Sequence, residues 1–106
     1  MTNWLHLKDE TDLLEKAHST ESVILFKHSE RCSVSRMAKR TFEDEYEGIL
    51  PVYLIPVIEQ RSVSNKIAEI TGVVHQSPQL LVMKNGQCVY HASHDHISAI
   101  DIKEIL

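Results

Sequence analysis

The chain has 106 residues, 42% hydrophobic and 25% charged, with a net charge of −4 from 11 basic and 15 acidic side chains. That size suits one domain over residues 1–106 with a single core, and the composition is that of a folded soluble chain. The acid excess argues against attraction to nucleic acid or an anionic membrane; no apolar run is bilayer-length and no signal peptide is visible, so the expected location is the cytoplasm.

In chain order, Trp4, Leu5 and Leu7 suit a short extended segment, and a helix is expected from Asp9 to His18. Asp9 or Thr11 can cap it, and Leu13, Leu14 and Ala17 form its apolar stripe. Ser22 to His28 contains Val-Ile-Leu-Phe without a polar break, the mark of a strand buried on both faces. After a short loop, Val34, Met37, Ala38, Thr41 and Phe42 recur at helical spacing up to Glu47, and Gly48 is expected to stop that helix. Leu50 to Ile58 reads as a second apolar strand. Its Pro51 and Pro56 lack a ladder donor and point to an edge position.

A third helix is expected from Ser62 to Thr71, with Val63, Ile67 and Ile70 on one face and Gly72 just past its end. Leu80–Lys84 and Gln87–His91 flank Asn85-Gly86, a strong signal for a tight hairpin. Ile97, Ile100, Ile102 and Ile105 place a last helix over Ile97–Leu106. The order α-β-α-β-α-β-β-α predicts an α/β fold: a mixed four-stranded sheet with helices on both faces, its first two main strands parallel and its hairpin antiparallel.

There are two cysteines, Cys32 and Cys88, too few for a disulfide scaffold. Cys32 follows a central strand and opens a helix. Its sulfur is expected beside free N–H groups that, with the helix dipole, favour the thiolate, the reactive form. Arg31 is adjacent and Arg36 one turn later, both able to stabilise an anion. The plainer reading, a thiol filling space at a helix start, is opposed by the polar neighbours Glu30, Arg31, Ser33 and Ser35, which suggest an exposed segment. Ser35 stands where a dithiol enzyme would carry its resolving cysteine. A serine can donate a hydrogen bond to a thiolate but cannot close a disulfide, so the chemistry is monothiol; Ser35 as a solvated first-turn residue stays open.

Pro78, in Gln76-Ser77-Pro78-Gln79, suits the first residue of a strand, with a trans bond as the default. Cys88 reads as a small buried hydrophobe. His91, His94 and His96, with Asp95, match no established metal spacing and suit a loop or cap, so no metal site is assigned. His28 and His75 either influence the site or face water.

The runs FKHSERCSVS and TGVVHQSPQLLVMKNGQ resemble a thioredoxin-superfamily domain. More narrowly, the length and the Cys-Xaa-Xaa-Ser site resemble the monothiol bacilliredoxin (YtxJ-like) family. The resemblance implies that Cys32 removes bacillithiol from protein mixed disulfides, and that Ser35 is the serine of the monothiol motif. It also implies that Ser77 and Pro78 form the cis-proline segment pairing with an extended client. Bacillithiol or another low-molecular-weight thiol would be the co-substrate, S-bacillithiolated proteins the clients, and no cofactor would be tightly bound; Arg31 is a candidate substrate contact. Glutaredoxins usually carry Gly-Gly and acidic residues where this chain has Ala92-Ser93-His94-Asp95-His96, which disfavours glutathione and an iron–sulfur scaffold. Two other functions compete: a thioredoxin-like adaptor without redox turnover, and a metal or cluster carrier using Cys32 with outside ligands.

Overall fold

A computed structural model describes residues 2–105, with side chains described through Ile102. The strands are β1 (Trp4–His6), β2 (Val23–His28), β3 (Val52–Pro56), β4 (Gln79–Lys84) and β5 (Gln87–Ser93). The helices are α1 (Glu10–Ala17), α2 (Ser33–Glu45), α3 (Arg61–Thr71) and α4 (Ala99–Ile105), with a 3-10 turn at His94–His96. The strands form one five-stranded sheet in the order β1-β3-β2-β4-β5. β1 and β2 run parallel to β3, while β2–β4 and β4–β5 are antiparallel.

All six residues of β2 are buried, Val23–Phe26 as an unbroken apolar run at the sheet centre and Lys27 and His28 as polar residues closing it. Successive side chains alternate between faces. Val23 and Leu25 join Leu13 and Ala17 of α1 and Val63 and Ile67 of α3; Ile24 and Phe26 join Phe42 of α2 and Ala99 and Ile102 of α4. Each fully buried side chain of this kind contributes roughly 1.5–3 kcal/mol.

The sheet has five strands rather than the expected four. The extended Trp4 segment pairs with Val52–Leu54 of β3, and the Trp4 ring packs 5.4 Å from Phe26 and 5.9 Å from Phe42. A three-residue strand carries too short an alternation to register as one in sequence. Its presence also moves β3 off the edge, between β1 and β2. Pro51 and Pro56 are tolerated because one precedes the strand and the other ends it.

Most element ends follow local chemistry. Asp9 caps α1 by accepting the Asp12 N–H at 2.8 Å, and Gly72 closes α3 at φ 72°. Asn85 and Gly86 both have positive φ, as a two-residue hairpin turn demands. Gly48 does not stop α2, which ends at Glu45 with an extended Tyr46. Instead Gly48 lies against the Tyr46 ring, where a Cβ would come within 2.6 Å of ring atoms. α4 begins two residues later than Ile97, behind the 3-10 turn. Leu106 and the Ile105 side chain lie outside the described residues.

Candidate active site

Cys32 is the N-cap of α2, with extended backbone (φ −105°, ψ 121°) and a half-buried side chain. Its carbonyl accepts the Arg36 N–H at 3.0 Å, and its sulfur makes no capping hydrogen bond to the first turn. The thiol thus stands at a helix start whose N–H groups are open, as its sequence position predicts. Arg31 is exposed beside it. The Arg36 guanidinium donates to the Glu30 carbonyl at 2.6 Å, which orients it without neutralising it.

Ser35 departs from the expected exposed segment: its side chain is fully buried. Its hydroxyl oxygen accepts the Ser29 N–H at 3.0 Å and lies 2.7 Å from His28 Nδ1. His28, also buried, lies 2.7 Å through Nε2 from Glu30 Oε1. The hydrogen bond of His28 lowers the Glu30 carboxyl below its usual range. His28 therefore does not face water; it ties the strand end to the first turn of α2. The sequence signal was the pair Lys27-His28 closing an otherwise apolar strand, because two polar residues at a fully buried strand end need partners.

Register brings the second motif to the same end of the sheet. Lys27 pairs with Gln79, so antiparallel register continued by one residue puts Pro78 opposite His28. Pro78 is buried and the Ser77–Pro78 bond is cis rather than the default trans, since tertiary contacts rather than local preference select the isomer. The Pro78 carbonyl accepts the His94 N–H at 3.1 Å. The Ser77 hydroxyl is buried without a hydrogen-bond partner among the described residues.

Lys27, on the opposite face of β2 from His28, is fully buried, and its Nζ lies 3.1 Å from His75 Nδ1. Burial lowers the Lys27 amine to about 8. Burial, then Lys27 and Arg61, lower His75 from its usual value. Cys88 lies half-buried against the core with its thiol donating to the Tyr90 carbonyl at 3.3 Å, and burial pushes its pKa up. His94 and His96 are exposed on the 3-10 turn, and no three His, Cys, Asp or Glu among the described residues are grouped to hold a metal.

The sequence model of the family described as Monothiol bacilliredoxin BrxC matches residues 3–102. The chain belongs to the monothiol bacilliredoxin family. A solved structure described as a candidate oxidoreductase with a thioredoxin fold is 28% identical, covering 95% of this chain and 91% of its own, with a TM-score of 0.85. The thioredoxin of Malassezia sympodialis is 13% identical over 99% of this chain and 89% of its own, TM-score 0.77. A thioredoxin variant from Halobacterium salinarum NRC-1 is 17% identical over 96% and 86%, TM-score 0.73. The two thioredoxins establish the thioredoxin-like fold of this bacilliredoxin-family chain, and the family carries a thiol redox role. No helix among the described residues is long and apolar enough to cross a membrane.

Proposed function

We propose that Cys32 is the nucleophile of a monothiol oxidoreductase that removes bacillithiol, or a similar low-molecular-weight thiol, from S-thiolated client proteins. The Cys32 thiolate attacks the thiol-side sulfur of the mixed disulfide. A new Cys32–thiol disulfide forms, the protein–thiol disulfide breaks, and the client leaves as a thiolate that takes a proton from water. A second low-molecular-weight thiolate then attacks the Cys32-bound sulfur, leaving with it as a small disulfide and freeing Cys32. With Ser35 at the third position, Cys32 has no neighbouring thiol to resolve the adduct, so the regenerating thiol comes from outside.

The observation that carries this reading is Cys32 at the N-cap of α2, in a chain of the monothiol bacilliredoxin family. Ser77 and Pro78, at the same end of the sheet, pair with an extended client segment in this reading, and exposed Arg31 contacts the bound substrate. A cytoplasmic location, where thiols stay reduced, fits the cycle. The test is release of bacillithiol from a model S-bacillithiolated protein. The wild type releases it and Cys32→Ser does not; equal rates sink the proposal. Intact mass after exposure to oxidised bacillithiol adds a second check, one adduct on the wild type and none on Cys32→Ser.

A further inference from the structure

The loop that joins α3 to β4 and carries Ser77 is fastened to the sheet by side chains from beneath. Val74, His75 and Gln76 are exposed and belong to no helix or strand. Two buried residues hold them. Lys27 of β2 is fully buried, and its Nζ lies 3.1 Å from His75 Nδ1. Gln79 of β4, also buried, donates from its side-chain amide to the Val74 carbonyl at 3.0 Å. Lys27 and Gln79 are partners in the β2–β4 register, and residues directly opposite in an antiparallel pair share one face of the sheet. Two neighbouring donors thus hold two consecutive residues of the loop.

We propose that Lys27 and Gln79 are positioning residues for client binding: they fix Val74 and His75 so that the backbone at Ser77 is set to receive an extended protein segment. The inference rests on the reading that Ser77 and Pro78 pair with the client, and on nothing about which small thiol the client carries. Extended segments bind through main-chain hydrogen bonds, which need the receiving backbone in one conformation. A loop that is ordered only on binding weakens the complex by the cost of ordering it.

Both ends of the loop are anchored independently. The Val73 N–H donates to Thr71 Oγ1 at 3.1 Å, and buried Pro78 accepts the His94 N–H at 3.1 Å. Between them, the bonds from Lys27 and Gln79 are the ones that tie residues 74–77 to the sheet among the described residues. Burial lowers the Lys27 amine to about 8, so it is charged at neutral pH and carries a desolvation cost. A methionine would fill that space without the cost, but it could not hold His75.

The test measures KM and kcat for release of bacillithiol from a model S-bacillithiolated protein in Lys27→Met, Gln79→Leu, His75→Ala and His75→Asn. Alkylation of Cys32 by iodoacetamide, in a Cys88→Ser background, reports on the thiol without any client contact. Lys27→Met, Gln79→Leu and His75→Ala are each expected to raise KM about tenfold through loss of one loop-ordering hydrogen bond, with the alkylation rate unchanged. In His75→Asn the amide oxygen replaces Nδ1 as acceptor, and most of the wild-type KM is expected to return. NMR relaxation of the backbone is expected to show residues 74–77 more mobile in the three impaired variants and not in His75→Asn. Lys27→Met should show the defect without any loss of stability at neutral pH, which a merely structural role would not produce. An unchanged loop in Lys27→Met and Gln79→Leu overturns the clamp itself. A looser loop with wild-type KM overturns the inference through its client reading, while Cys32→Ser still decides the thiol chemistry separately.

Discussion

The Lys27 ammonium donates to Nδ1 of His75 across 3.1 Å, tying the centre of the sheet to the loop that leads into Ser77 and Pro78. An ammonium only donates, so Nδ1 accepts from it and the ring is neutral; Ser64 of α3 lies 3.3 Å from the same nitrogen. A fully buried lysine held by a neutral group bears a desolvation cost that a carboxylate partner would have reduced.

The pH dependence of stability follows from that cost. Burial lowers the Lys27 amine from 10.5 to about 8, so between those values the unfolded chain binds the extra proton and stability rises with pH. Below the folded value the penalty is complete. Lys27→Met is therefore expected to be more stable than wild type at neutral pH, with the gap shrinking by about 2 kcal/mol as the pH rises toward 10. His75 is also lowered, so its contribution is present above its unfolded value and lost as the pH falls through the folded one. His75→Gln should flatten that acid limb. Urea melts of the three proteins across pH decide both points, and parallel curves would contradict them.

Ser35→Ala leaves the Ser29 N–H without its acceptor and His28 Nδ1 without its partner, in a buried site. An unsatisfied buried group costs about 1–3 kcal/mol. Thermal unfolding is expected to move down by about 10 °C, using roughly 4–8 °C per kcal/mol for a domain of this size. An unchanged midpoint would mean the hydroxyl contributes nothing to holding the loop.

The two thiols should react in order. Cys32 sits at an open helix start, whereas burial raises the Cys88 thiol, which donates to the Tyr90 carbonyl. Limited alkylation at neutral pH is expected to label Cys32 at least about tenfold faster, with Cys88 modified only after unfolding. Peptide mapping reads the order directly; comparable labelling of both would remove the distinction between them.

Gly48→Ala tests the turn after α2. The added Cβ would meet the Tyr46 ring at 2.6 Å, and that ring is buried against Phe42 while its hydroxyl donates to the Leu50 carbonyl at 3.0 Å. Displacing it is expected to cost about 1–3 kcal/mol, the usual range for overpacking, measured as a lower denaturation midpoint. A neutral effect would mean the ring relocates freely.

Much of the architecture was legible because it is written at short range. The apolar run of β2, the Asn85-Gly86 turn, the Asp9 cap and Gly72 past α3 each declare themselves within a few residues, and the structure places all four as expected. The misread parts depend on partners distant in sequence. β1 is three residues long and becomes a strand through β3 and the rings of Phe26 and Phe42, and its arrival takes β3 off the edge. Gly48 looked like a helix stop because its packing against Tyr46 is invisible in one dimension.

The candidate site divides along the same line. Sequence alone determined that Cys32 opens a helix after a central strand and that Ser35 stands three residues on, because both follow from local order and spacing. Only the tertiary structure decided what surrounds them. The buried end of β2 turns His28 onto Ser35 and Lys27 onto His75, and antiparallel register carries Pro78 to the same end. The physical reason is that a buried polar group must find a partner, and which partner it finds depends on how the strands and helices meet.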